Sequence, residues 1–90
     1  MSHLSTDDAL VKRVRRIAGQ VAALERALAE HQDCATTLHL AAAVRGAVNG
    51  LLDQIIESHL REHVAKPGLS DAERAEGTEE LIAAIRRYAK

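Results

Sequence analysis

Leu10, Val14, Ile17, Val21, Leu24 and Leu28 recur at spacings of 4, 3, 4, 3 and 4. Steps of this size return to one side of a 3.6-residue helix but scatter over both faces of a strand. The stretch is therefore one long amphipathic helix with a heptad-like stripe. "STDD" (residues 5–8) supplies an N-cap and first-turn acids, which predicts a helix over about residues 6–30. "EHQD" (30–33) reads as a short connection with Asp33 as a cap. A second stripe follows, Cys34, Leu38, Ala41, Arg45, Val48, Leu52, Ile55 and His59, again stepping by 4 and 3, and predicts a helix over about 34–64. The single proline, Pro67, stands before Gly68 and marks the one clear break. Beyond it, Ser70 or Asp71 caps a third helix over about 71–88, with Leu81, Ile82 and Ile85 as its apolar face and Gly77 weakening its middle. No strand pattern, internal repeat or low-complexity segment interrupts this all-α reading of one domain over residues 1–90.

Composition turns the helices into an assembly problem. The chain has 90 residues, no Phe or Trp, and Tyr88 as its one aromatic residue. A core of Leu, Ile, Val and Ala gives little buried area per residue in so short a chain. Two long helices on a short link form an antiparallel hairpin, which cannot enclose its own apolar stripe. Pairing two hairpins into a four-helix bundle solves this, so a homodimer at least is expected. Cys34 is the one cysteine, so no internal disulfide forms and a reducing compartment fits. The N-terminus lacks the apolar segment of a secretory signal, and the apolar runs are too short to span a membrane. A cytoplasmic protein is expected.

The segment "ESHLREHV" (57–64) holds His59, Glu62 and His63 in an H-x-x-E-H arrangement, the signature of an inverted zinc protease. A hydrolytic site needs a third ligand, an open coordination position and a substrate cleft, and a 90-residue helical hairpin offers no obvious cleft. Glu62 is more simply a solvent-facing partner for a neighbouring cation. Cys34 and His59 instead share one phase of the second stripe, and His63 lies a turn beyond. All three are good ligands for a borderline transition metal. On one straight helix Cys34 and His59 lie roughly 37 Å apart, so one chain cannot bring them to one ion. Two copies running antiparallel across a two-fold axis can, and they make two equivalent sites. His3 is the remaining candidate, beside an amine freed when the initiator Met is removed. Added nitrogen and oxygen ligands favour Co(II) or Ni(II), with Zn(II) a further candidate. His31 and His39 read as surface residues, and His39 is off the stripe.

The net charge is only −1, but it is unevenly placed: "KRVRR" (12–16) carries four cations, while "SDAERAEGTEE" (70–80) is acidic. Lys12, Arg13, Arg15 and Arg16 spread around the first helix, and Arg45 sits among Ala and Gly in the second. Multiplied by an oligomer, these cations form a broad positive face for phosphate contacts. The dearth of aromatic side chains argues against single-stranded nucleic acid, and no helix-turn-helix spacing is present, so double-stranded DNA would be read through shape and backbone.

"RVRRIAGQVAALERAL" (13–28), Cys34, "AAAVRGAVNGLL" (41–52) and "ESHLREH" (57–63) together resemble the CsoR/RcnR family of bacterial metal- and formaldehyde-sensing repressors, over nearly the whole chain. The resemblance implies an all-helical dimer of antiparallel hairpins, paired into a tetramer, that holds operator DNA until an inducer binds. It maps DNA contacts onto Arg13, Arg16 and Arg45, with Lys12 and Arg15 in support. The copper-sensing branch has a Cys-His-Cys set; His63 stands where that branch has its second Cys, which disfavours Cu(I). The formaldehyde-sensing branch shares "RVRRI" and "ESH" but has Pro after Met and lacks a His at the position of His63. The set His3, Cys34, His59 and His63 is similar to the nickel/cobalt branch, and implies a repressor of metal efflux. The acidic run around Gly77 departs from the family pattern. Two other readings remain: a formaldehyde sensor with Cys34 as nucleophile linked to the N-terminal amine, and a helical metal buffer or oligomerisation module without a DNA role.

Overall fold

The computed structural model describes residues 8–88. Its helices are α1 (Asp8–Ala29), α2 (Cys34–His63) and α3 (Asp71–Tyr88), with no strand among the described residues. Ser5, Thr6 and Asp7 of the expected first cap lie outside the described residues, as do Ser2 and His3. The described residues divide into two compact units, 8–51 and 52–88.

In the first unit, α1 ends in a Schellman motif. The Gln32 amide donates to the Ala27 carbonyl at 2.9 Å and the His31 amide to the Leu28 carbonyl at 3.3 Å. The residue that turns the chain is His31, at φ 56°, a left-handed position that usually falls to glycine. Asp33 then caps α2. Its carboxylate accepts the Thr36 hydroxyl at 2.6 Å and the Thr36 amide at 3.3 Å. The turn joins one end of the pair, and at the other end the Arg13 guanidinium lies against Gly50. Residues 8–29 and 34–51 therefore run antiparallel.

The faces that meet here are not the stripes read from the sequence. α1 covers Leu10, Arg13, Ile17, Gln20, Leu24 and Ala27, stepping by 3 and 4, and α2 covers Thr37, Leu40, Val44, Ala47 and Gly50. Of the expected α1 stripe, Leu10, Ile17 and Leu24 are covered, while Val14 (49%), Val21 (47%) and Leu28 (60%) are exposed. The expected α2 stripe lies on the open side in this unit: Leu38 is 64% exposed, Val48 45%, and Cys34, Ala41 and Arg45 are exposed too. The physical reason is arc width. Apolar residues at both 3 and 4 spacings span more of the helix than one neighbouring helix can cover. Among the described residues the buried hydrophobic side chains are Leu10 and Ala27, a core far too small to stabilise a domain by itself.

In the second unit, α2 closes with the Val64 and Ala65 amides both donating to the Leu60 carbonyl, at 3.1 and 2.8 Å. The link turns at Gly68, whose φ of 88° suits a residue without a Cβ. Of the two caps the sequence allows for α3, the chain uses Ser70. Its hydroxyl accepts the Glu73 amide at 3.0 Å, and the Glu73 carboxylate accepts the Ser70 amide at 2.9 Å. This is a reciprocal capping box. Leu81 is half-buried, but Ile82 (36%) and Ile85 (45%) remain exposed. Gly77, expected to weaken α3, is its buried residue.

The caps predict an acid dependence. The Ser70 amide lowers the Glu73 pKa, and the Thr36 hydroxyl, followed by the Thr36 amide, lowers that of Asp33. A carboxylate depressed in the folded state contributes stability above the ordinary range of about 4, and that contribution is lost as pH falls through the lowered value. Glu73→Gln should flatten the loss of helical circular dichroism below about pH 4, and Ser70→Ala should lower unfolding stability by about 1 kcal/mol in denaturant.

Candidate metal centre and basic face

His59 and His63 occupy successive turns near the C-terminus of α2, so both rings leave the same face of the helix. Both residues are half-buried, and the ring centroids lie 4.8 Å apart with the planes at 42°. Two imidazoles so placed can both reach one ion, and nitrogen donors suit Ni, Co, Cu or Zn. The His59 ring is held: its Nε2 lies 3.0 Å from the Gly77 carbonyl oxygen. A carbonyl only accepts, so Nε2 carries the proton, and in the neutral ring the lone pair falls on Nδ1. His63 is fixed through its backbone. A Cβ placed on Gly77 would run into the His63 carbonyl oxygen and lie 2.8 Å from the carbonyl carbon. The Arg74 guanidinium donates to the Val64 carbonyl and sets a cation at the C-terminal end of α2.

Cys34 is the first residue of α2, directly after the Asp33 cap, and is a free, exposed thiol. α2 runs from Cys34 to His63 as a single helix. Among the described residues no three His, Cys, Asp or Glu side chains gather as a metal cluster. The chain thus presents a pair of imidazoles and, at the other end of α2, a thiol. Glu62, expected to face solvent, is half-buried and lies 3.8 Å from the exposed Lys66, while Glu57 and Arg61, both exposed, pair at 2.8 Å. His31 and His39 are exposed.

The cations divide. Lys12, Arg15 and Arg16 are exposed and, at i, i+3 and i+4, share one arc of α1. Arg45 is exposed on α2. Arg13 is half-buried and turned inward: a Cβ on Gly50 would stand 3.3 Å from its Nη1. Arg13 thus bridges the hairpin in the state described. Sequence reasoning missed Arg74 and the part played by Gly77. An isolated glycine within a helical pattern signals only a cost in propensity, and Gly19 and Gly46, in open space, show that it does not by itself mark a contact. No helix is long and apolar enough to cross a membrane among the described residues.

Comparison with known proteins agrees with the helical pattern. The family model described as metal-sensitive transcriptional repressor matches residues 6–87. The chain is 41% identical over 91 residues to the transcriptional repressor RcnR of Salmonella arizonae, covering all of both chains. It is 47% identical over 91 residues, again end to end, to an uncharacterised protein of the bioA 5′ region of Serratia marcescens. Among solved structures it is similar to a glutamate-to-histidine variant of the formaldehyde-responsive regulator FrmR from Salmonella enterica serovar Typhimurium. That match has a TM-score of 0.84 and 42% identity, and covers 90% of this chain and 91% of the other.

The Glu62–Lys66 pair, at 3.8 Å with Lys66 exposed, makes Glu62 a weak stabiliser. Glu62→Gln should change unfolding stability by no more than about 0.5 kcal/mol. It should leave the cobalt affinity, followed by optical titration, unchanged.

Proposed function

The chain belongs to the metal-sensitive transcriptional repressor family, whose members are not enzymes, and from that premise we propose that it is a repressor released from operator DNA by Ni(II) or Co(II). The observation that carries the choice of inducer is the half-buried His59/His63 pair, with ring centroids 4.8 Å apart. Imidazole nitrogens are borderline donors, suited to Ni(II) and Co(II), and also to Zn(II). Cys34 of one subunit completes the pair from another subunit, and His3, which lies outside the described residues, adds nitrogen donors. In the cytoplasm such a protein regulates a metal-efflux gene.

The oligomer follows from exposed apolar surface. Val14, Val21, Leu28, Leu38 and Val48 are left open by the chain's own packing, and a second hairpin covers them in an antiparallel four-helix bundle. Two such dimers form the tetramer. Lys12, Arg15, Arg16 and Arg45, repeated around it, contact the phosphates of double-stranded DNA, and Arg13 joins them from its place beside Gly50. The inducer acts only if it binds the DNA-incompetent packing more tightly, and DNA must then weaken metal binding by the same factor.

A second reading draws on the exposed thiol of Cys34 and on the likeness to a formaldehyde-responsive regulator. Formaldehyde would join the thiol to the N-terminal amine as an S–CH2–N bridge, with loss of water. Titrating Ni, Co, Zn, Cu and formaldehyde against the protein bound to its own promoter separates the two. Release by Ni or Co, abolished in His63→Leu, supports the metal reading. Release by formaldehyde alone, with a gain of one bridging carbon at Cys34 by mass, supports the other. Cys34→Ala should lose the sulfur-to-metal charge-transfer band of the cobalt complex. DNA affinity should fall steeply with salt, and Arg16→Ala should reduce that slope by about 1 for each phosphate contact removed.

A further inference from the structure

Gly77 is where the backbone of α3 meets the turn of α2 that carries the histidines. It is the buried residue of α3, in a helix whose other members are exposed or half-buried. No side chain fits there, because a Cβ would run into the His63 carbonyl oxygen and stand 2.8 Å from the His63 Cβ. The same residue turns its own carbonyl to the His59 ring, 3.0 Å from Nε2. Arg74, one turn earlier, donates to the Val64 carbonyl and fastens the first half of α3 to the end of α2. One residue thus touches both histidines, one through its ring and the other through its backbone. Glycine disfavours a helix interior relative to alanine, but here it is the residue type that permits the close approach. Two other helical glycines contrast: a Cβ on Gly19 or Gly46 meets nothing within 4 Å.

We propose that Gly77 is a positioning residue for the inducer site: its carbonyl holds His59 with Nε2 as donor and Nδ1 free to bind metal, so that metal binding and the docking of α3 reinforce each other. This rests on the reading of His59 as a ligand. The physical basis is polarisation. A metal ion on one ring nitrogen withdraws electron density and makes the opposite N–H a stronger donor. The bond to the Gly77 carbonyl strengthens, and α3 is held more firmly on α2. By linkage, α3 held firmly raises the affinity of the ring for the ion by the same factor. The bond forms with the backbone, so it needs no particular side chain on α3. It needs only a residue that lets the helices approach.

Three readings test this, one of them without any variant. In the metal-free wild-type protein, proton NMR should show a slowly exchanging His59 Nε2–H with a nuclear Overhauser contact to Gly77. Absence of that signal overturns the proposal, because an unbonded imidazole N–H exchanges with water too fast to be seen. Gly77→Ala should lower Co(II) affinity by about 10- to 100-fold, the usual effect of losing a partner behind a metal ligand. Gly19→Ala, in open space, should leave it unchanged. Amide exchange over residues 71–78 should slow when Co(II) is added to the wild type and should not respond in Gly77→Ala. A folded Gly77→Ala protein with wild-type Co(II) affinity and the same exchange response overturns the positioning role while the sensing function stands. If the wild type binds neither Co(II) nor Ni(II), the sensing function itself falls, and the coupling with it.

Discussion

The chain carries more apolar helix surface than its own helices can cover. The buried hydrophobic side chains among the described residues are Leu10 and Ala27, while Val11, Val14, Val21, Leu28, Leu38 and Val48 are all at least 45% exposed. With no Phe or Trp, and with its one aromatic residue, Tyr88, itself 55% exposed, the chain has no large side chain closing the gap. The proposed pairing with another copy removes this surface from water, at roughly 25 cal/mol for each Å² of apolar area. The proposed sensing chemistry follows the same constraint, because the thiol and the imidazoles stand at opposite ends of α2.

This explains what could be read from the sequence and what could not. The three helices follow from 3- and 4-residue spacing, the Pro67–Gly68 break and the caps at Asp33 and Ser70, all local signals of known hand and length. The partner of each stripe was not legible. Leu10, Ile17 and Leu24 serve the hairpin, while Val14, Val21 and Leu28, read as the same seam, face outward. A period of 3.5 identifies a face but not the helix that covers it, and residues on either side of the stripe decide that. Arg13 and Gln20 prove to lie on the covered side. His59 and His63 were legible as a pair because i,i+4 spacing is itself a geometry. What holds them was not legible, since the acceptor is a main-chain carbonyl, and every residue has one.

Gly77 shows how a local rule can mislead. Propensity alone marks it as a weakness in α3, yet α3 runs through it from Asp71 to Tyr88. The capping box at Ser70 and Glu73 and the Arg74 bond to α2 sustain the helix around it. The absent side chain permits a backbone contact that packing larger residues would forbid. Arg13 and Gly50 repeat the pattern in the other unit, where a long cation lies against a position without a Cβ. In both units the glycine marks a place where two helices touch at short range, and in both the neighbour is a residue assigned to function.

The central claim is that the thiol and the imidazoles meet only between subunits. Subunit mixing tests it most directly. Cys34→Ala and His63→Leu proteins, each unable alone to form the sulfur–cobalt charge-transfer band, are unfolded, mixed in equal amounts and refolded together. A mixed dimer contains one intact site, made by Cys34 of one chain and the histidines of the other, so the band should return at a fraction of the wild-type intensity. If the mixture shows no band while wild-type protein treated in the same way does, the site is not shared between subunits and the account is contradicted.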